Sequence, residues 1–265
     1  MLFASSNDRF LYARPPLVEA ICQLRFPTIL TIGVKEPVDF QEAIRGEYPR
    51  YNVRNEQPAP RITGVGTPNP TLQQQPPVTN YGFVSEDGTW KVNLTNSFVA
   101  LSTVRYRQWE DFALRLDKIL AAFISCYQPA FFERLGLRYV NAFSRKAVGM
   151  EEMLWDDLIQ PAFLGVLGEP DVDERATTKN SLDVEMALPD GCRMKMHAGP
   201  GLVKQGNQAA PGEVRFILDG DFSAAGKLPG DQVPARLEAL HTHAVRLFQG
   251  AITREMHDAM GPTPL

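Results

Sequence analysis

The chain has 265 residues, of which 44% are hydrophobic and 22% are charged, which is typical of a globular protein and excludes a largely disordered or collagen-like chain. Its net charge of −4 argues against coating nucleic acid by bulk attraction, so a nucleic acid could bind only through a local basic strip. The three cysteines form no CxxC pair, and we expect buried thiols in a reducing cytoplasm. No stretch is apolar enough for a signal peptide or a membrane span, so no membrane partner is expected.

The first part of the chain alternates like a β-strand and then becomes rich in proline. Residues 17–26 place every second side chain, from Val18 to Phe26, on one apolar face, and the two prolines before them predict an extended lead-in. Residues 38–48 have helical spacing. Residues 55–78 hold six prolines and a run of three glutamines, which predicts a long mobile loop.

The middle of the chain carries clear hairpin and helix signals. Asp87-Gly88 between alternating flanks predicts a β-hairpin, and a short strand follows near residues 98–102. Residues 109–127 show an amphipathic stripe that predicts a long helix, and residues 132–143 alternate again as a strand. The stripe consists of Phe112, Leu116, Ile119, Leu120, Phe123 and Tyr127.

The second half of the chain repeats this outline. A hairpin around residues 189–191 and a strand at residues 214–222 precede a second amphipathic helix at residues 234–252. This pattern predicts an α+β fold, with mostly antiparallel sheet and two long amphipathic helices packed on it. It also indicates a pseudo-duplication within one compact unit, whose halves we place at about 12–146 and 147–257.

No signature motif assigns a reaction to the chain. GxGxxG, GxxxxGK[ST], GxSxG and HExxH are all absent, and no cofactor is expected. Asp219 and Asp221 share one strand face and could hold Mg²⁺ with a third oxygen ligand from elsewhere. The plainer interpretation is that the strand ends there, because small residues follow. His241 lies beside the apolar stripe of the second helix, and we expect it to be a buried hydrogen-bonding group.

Arginines on or near three strands predict a basic strip across one sheet face. Arg138 alternates to the face opposite Leu137, and Arg25 and Arg105 lie on or after other strands. Such a strip suits a phosphate or carboxylate partner. Pairing of the arginines with the chain's own glutamates is the alternative. The candidate binding residues are Arg25, Arg105, Arg138, Asn141 and Trp109. Trp109 is also followed by acidic residues, which is typical of the first turn of a helix.

Several segments together resemble a family of sporadically distributed prokaryotic conserved hypothetical proteins of about this length. The resemblance spans roughly residues 12–255 and is carried by "PPLVEAICQLRF", "FVSEDGTWKVNLTNSFVALST", "YRQWEDF", "RLGLRYVNAF", "LDGDF" and "LHTHAVRLFQGAIT". It implies a cytoplasmic α+β protein made of a single unit. It implies no activity and no catalytic residues, although patchy distribution is often associated with mobile or defence-linked loci.

Three functions follow from these patterns as hypotheses. The first is an accessory or interaction protein that binds another protein or an assembly, and the sequence favours this function over catalysis. Homo-oligomerisation is a further expectation. The second is a metal-dependent enzyme centred on Asp219 and Asp221. The third is a sensor of a small ligand or nucleotide that uses Arg138 and its neighbours.

Overall fold

A computed structural model of the protein describes residues 1–57, 59–63, 71–203 and 212–265. The fold is α+β, as predicted, and every strand pairing described is antiparallel. The strands are β1 Phe10–Tyr12, β2 Leu17–Arg25, β3 Arg50–Glu56, β4 Arg61–Thr63, β5 Thr71–Gln73, β6 Val78–Val84, β7 Trp90–Leu94, β8 Phe98–Thr103, β9 Phe132–Phe143, β10 Leu182–Ala187, β11 Cys192–Val203, β12 Glu213–Leu228 and β13 Pro262–Pro264. The α-helices are α1 Leu30–Val34, α2 Val38–Ile44, α3 Trp109–Tyr127, α4 Arg145–Val148, α5 Trp155–Leu158, α6 Pro161–Leu164, α7 Val233–Ala251 and α8 Arg254–Ala259.

Nine strands form one sheet in the order β10-β11-β12-β9-β2-β8-β7-β6-β3. The order β2-β8-β7-β6 before α3 matches the order β9-β12-β11-β10 before α7, so both parts of the chain have the same topology. This match favours a boundary near residue 130 over the expected one at 146, because β9 is then the first strand of the second part. Antiparallel pairing of β2 with β9 joins the two parts.

Both long helices cover the same face of the sheet. Ala20, Cys22 and Leu24 of β2 are fully buried, and Cys22 lies opposite the buried Leu137 of β9. The ring of Phe123 in α3 lies 4.7 Å from the ring of Phe26 just after β2. The predicted stripes are buried as expected, except that Tyr127 of α3 and Phe248 of α7 are only partly buried. Burial of these apolar side chains is the main force that holds the two helices on the sheet.

The stretch 55–78, expected to be a long loop, contains strand at both ends and a short hairpin. β3 runs to Glu56, β4 pairs with β5, and β6 begins at Val78, so each regular element has at most three residues within the stretch, and the expectation of a long mobile loop stays a prediction. Pro60 and Pro77 lie just outside the paired strands, where the missing N–H of proline costs no ladder hydrogen bond. Residue 58 and residues 64–70 fall outside the described part of the stretch.

The N-terminal residues lie against α7 and pair with the C-terminal residues. The N–H of Ala4 donates to the carbonyl of Arg246 at 2.9 Å, and β1 pairs with β13. Gly250 of α7 makes this contact sterically feasible, since a Cβ there would overlap the carbonyl oxygen of Leu2 and lie 3.0 Å from the nitrogen of Ala4.

We therefore predict that Gly250→Ala detaches residues 1–8 from α7 while the sheet stays folded. Hydrogen exchange of these amides should rise clearly, and the melting temperature should fall by only a few degrees, because Leu2 and Phe3 are the large apolar side chains that leave the core and both are only partly buried. Gly46→Ala is the matched control, since a Cβ at Gly46 meets nothing within 4 Å. Unchanged exchange in residues 1–8 would contradict the prediction.

Candidate functional site

A cavity of about 420 Å³ lies on the helix-covered side of the sheet. Its walls come from the segment 9–17, which we call the N-terminal strap, residues 106–109 at the start of α3, strands β9 and β12, the middle of α7, and Leu265. The volume falls within the range of small-molecule sites in proteins. Its apolar and aromatic lining includes Phe10, Tyr12, Leu17, Leu218, Phe222, Leu247 and Phe248.

The strap is held in place by backbone hydrogen bonds in its C-terminal half. The N–H of Arg14 donates to the carbonyl of Met260 at 3.0 Å, and the N–H of Ala142 in β9 donates to the carbonyl of Pro16 at 2.8 Å. Pro15 and Pro16 keep the chain extended between these points. Gly261, at a φ of +70°, supplies the left-handed turn that leads into β13.

Three polar side chains follow one another along the inner wall of the cavity. The hydroxyl groups of Tyr106 and Tyr139 lie 3.5 Å apart, and the Tyr139 hydroxyl lies 3.1 Å from Nδ1 of His241. Nε2 of His241 is buried and has no hydrogen-bond partner among the described residues. The three side chains line the cavity, so a bound molecule with a polar atom could supply the missing partner after a small adjustment.

Burial keeps these groups neutral at physiological pH. Desolvation, with a smaller contribution from the charge of Arg9, lowers the pKa of His241 from 6.5 to about 3. Desolvation raises the pKa of Tyr106 to about 12 and that of Tyr139 well above its ordinary value. The chain of groups therefore offers hydrogen bonds without charge.

Trp109 and Asn141 are the two candidate residues that line this cavity. The Trp109 ring stacks on His241 with centroids 4.5 Å apart, and its Nε1–H donates to a carboxylate oxygen of Glu238 at 2.6 Å. Asn141 is buried, and its amide donates to the carbonyl of Leu218 at 3.3 Å. His241 is buried and hydrogen-bonded, as the sequence predicts.

An ion pair closes one side of the cavity. Arg9 donates two hydrogen bonds to the carboxylate of Glu110, at 2.6 and 2.8 Å. These bonds lower the pKa of Glu110 from 4.5 to about 2. Arg107 also lines the cavity and is exposed.

The remaining candidate residues do not form the unpaired basic strip. Arg138 lies on the open face of the sheet and donates to both carboxylate oxygens of Asp219, at 2.7 and 2.5 Å. Arg25 lies opposite Arg134 on the same face. Arg105 is exposed in the turn after β8, away from the cavity lining. The strip is thus partly neutralised by aspartates of β12, and the charge of Glu19 adds a smaller contribution at Arg138.

The proposed metal site is corrected by the same contacts. Asp219 is bound by Arg138, and Asp221 accepts from Arg134 at 3.1 and 3.2 Å, so both carboxylates are occupied by guanidinium groups. The strand does not end there, because β12 continues to Leu228 and pairs with β9 through Ala225. Within the described ranges, no group of three metal-ligating side chains comes together.

The residues of the strap and the tyrosines of the polar chain were not predicted from the sequence. Phe10 and Tyr12 belong to a three-residue strand, which is too short to show periodicity. Tyr106 stands in a turn before α3, and its contact with Tyr139 spans 33 residues. The only signal near the strap was the Pro15-Pro16 pair, which indicated extended backbone without indicating what it covers.

Comparison of the chain with protein-family models and with curated proteins gives no match. The resemblance to a prokaryotic conserved hypothetical family therefore stays a prediction. No helix in the described part of the chain is long and apolar enough to cross a membrane.

The lowered pKa of His241 predicts a specific pH dependence of stability. The unfolded chain protonates this histidine below about pH 6.5 and the folded protein only near pH 3, so folding stability falls as the pH drops through this window. His241→Gln should reduce the slope of the unfolding free energy against pH by up to about 1.4 kcal/mol per pH unit between pH 6 and pH 4. Denaturant titrations at several pH values measure the slope.

His197→Gln serves as the control for that experiment, because His197 is exposed on β11 and pairs with Asp183 at the surface. An identical slope for the parent protein and His241→Gln would show that His241 is not protected from protonation.

Proposed function

We propose that the protein binds a small molecule in the cavity beneath the N-terminal strap. The observation that carries this proposal is a cavity of about 420 Å³ that combines a mostly apolar lining with a few buried polar groups. Binding sites for small molecules typically have this combination, because apolar contact supplies affinity and a few polar groups set orientation. The ligand lies between strap and sheet, with polar atoms near Tyr139 and His241.

Recognition explains the polar groups better than catalysis does. A general base works best with a pKa near the operating pH, and the pKa of His241 lies near 3. The neutral tyrosines are poor nucleophiles for the same reason, since burial raises their pKa. This proposal keeps the sensor hypothesis and moves its ligand from Arg138 to the cavity.

A ligand in the cavity contacts the strap, which forms one of the cavity walls. The strap covers the cavity and is attached by the β1–β13 pairing and by the Arg9–Glu110 ion pair. A bound ligand that contacts the strap stabilises its closed position, because it adds contacts present only in that state. Ligand binding would therefore strengthen the pairing of β1 with β13, and this change would signal that the ligand is bound.

The setting in the cell belongs to this proposal as well. We place the protein in the cytoplasm, in keeping with three cysteines that form no disulfide, two of which are buried. A prokaryotic and defence-associated context, implied by the family resemblance, stays a prediction.

Filling the cavity tests the proposal. Ala244 of α7 is buried and lines the cavity, so Ala244→Leu should abolish saturable one-to-one binding of the neutral fluorophore N-phenyl-1-naphthylamine. The larger side chain takes the space that the probe needs. Ala235→Leu, on the exposed side of the same helix, is the matched control and should bind like the parent protein.

Val245→Phe provides a second variant in case Ala244→Leu does not fold, since Val245 lines the cavity and is only partly buried. No probe binding by the folded parent protein, or equal binding by a folded cavity-filled variant, would overturn the proposal.

A second observation favours an interaction function, with another copy of the chain as the protein partner. β3 is the last strand of the sheet, and all seven of its residues are exposed. Antiparallel pairing of two copies about Val53 would place Arg50 opposite the partner's Glu56 at both ends of the ladder. The half-exposed side chains of Tyr51 and Val53 would be covered in the same step. Strand addition at a free edge is a common mode of association.

Charge reversal tests this pairing. Arg50→Glu should shift the protein toward monomer in light scattering coupled to gel filtration, because two glutamates then face each other at each end. Arg50→Glu combined with Glu56→Arg should restore the dimer. Arg54→Glu is a control for net charge, since Arg54 would lie opposite Asn52 of the partner subunit. A monomeric parent protein, or a double variant as monomeric as the single one, would exclude the pairing.

A further inference from the structure

The charged side chains that line the cavity are of one sign. Arg9 and Arg107 line it, together with the neutral His241, and the described lining residues include no aspartate or glutamate. The whole chain has four more acidic than basic residues, so a lining with only basic charge departs from the average composition of the protein.

The two carboxylates whose charges act on Arg9 already have partners. Glu110 is bound by Arg9, and Glu238 accepts from the indole N–H of Trp109 at 2.6 Å. Arg107 forms no ion pair and no side-chain hydrogen bond with any described residue. Its guanidinium group is therefore free to meet an anion, and Arg9 can add a second, partly neutralised positive charge.

The apolar part of the cavity continues from this charged side. Tyr12 of the strap packs edge-to-face on Phe248 of α7 at 5.7 Å, and Phe222 of β12 lies on the opposite wall. A ligand that satisfies both regions needs an apolar or aromatic body and one anionic group at one end.

We propose that the ligand is an amphipathic organic anion whose head group is bound by Arg107 with help from Arg9. This inference rests on the proposed function, because it assigns the chemical class of the molecule that the cavity takes. A carboxylate and a phosphate monoester both fit the guanidinium group, so the head group is defined by its charge.

Two fluorophores with the same aromatic body separate this inference from the proposed function. 8-Anilinonaphthalene-1-sulfonate carries an anionic group, and N-phenyl-1-naphthylamine is its uncharged counterpart. The parent protein should bind the sulfonate about tenfold more tightly at low salt, and this preference should shrink at high salt because screening weakens the attraction. Ala244→Leu should lose both probes, which shows that they bind in the cavity and not on exposed apolar surface.

Arg107→Gln should weaken binding of the sulfonate about fivefold and leave the neutral probe unchanged, as expected for one partly exposed ion pair. Arg105→Gln is the matched control, since Arg105 is exposed two residues away and does not line the cavity. Equal affinity of the parent protein for the two probes, or no effect of Arg107→Gln, would overturn the anion inference and leave the cavity proposal standing. Absence of binding by either probe would overturn both.

Competition then identifies the head group. 1-Naphthoate, 1-naphthyl phosphate and 1-naphthol share one ring system and differ in their polar group. Displacement of the sulfonate probe by either anion, with 1-naphthol at least fivefold weaker, supports the inference, and the stronger anion names the head group. Displacement by 1-naphthol as effectively as by the anions contradicts it.

Discussion

Antiparallel pairing of β2 with β9 is the constraint on which the rest of the structure depends. It joins two parts of the same topology into one sheet and puts their apolar faces in register, with Cys22 beside Leu137 and Ala20 beside Tyr139. Because side chains alternate along each strand, α3 and α7 must then cover the same face. The start of α3 meets the middle of α7 where Trp109 stacks on His241, and the cavity lies at this meeting point.

The cavity persists because the surrounding backbone leaves room that side chains do not fill. Ala244 of α7 lines the cavity with a single methyl group, which leaves the space beside it open. At Gly220 of β12 the side chains of Phe222 and Leu247 already pack over the strand, since a Cβ there would come within 2.9 Å of the Phe222 ring and 3.3 Å of Leu247. The two prolines of the strap restrict its backbone to an extended path, which limits how far it can bend into the space below. Unfilled space in a protein interior costs stability, so a ligand that occupies it is stabilising.

The local elements could be predicted from the sequence, whereas the site required the tertiary fold. The stripe of α3 and the alternation of β9 depend on residues within one element, and both elements have the predicted bounds, Trp109–Tyr127 and Phe132–Phe143. The strap depends on pairing between residues about 250 positions apart, and Arg138 meets Asp219 across 81 positions. No local period encodes such contacts. The sequence therefore indicated that Arg138 faces solvent without identifying the carboxylate that binds it.

The charged side chains are paired differently on the two faces of the sheet. This difference determines where an anion can find a positive charge that is not already paired. On the open face, Glu185, Lys195, Asp221 and Arg138 lie side by side on four neighbouring strands, with alternating sign. Such a row largely cancels its own field, and exposed pairs of this kind contribute about 0–1 kcal/mol each. On the covered face, Glu110 is held by Arg9 and Glu238 by the Trp109 indole, and the exposed Arg107 at the cavity has no ion pair with any residue in the described ranges. A positive charge next to apolar walls attracts an anion more strongly than the same charge in open water, because fewer water dipoles screen it. An anion that enters the cavity therefore meets a guanidinium group that no described residue pairs, whereas on the open face Arg134 and Arg138 are already bound by aspartates.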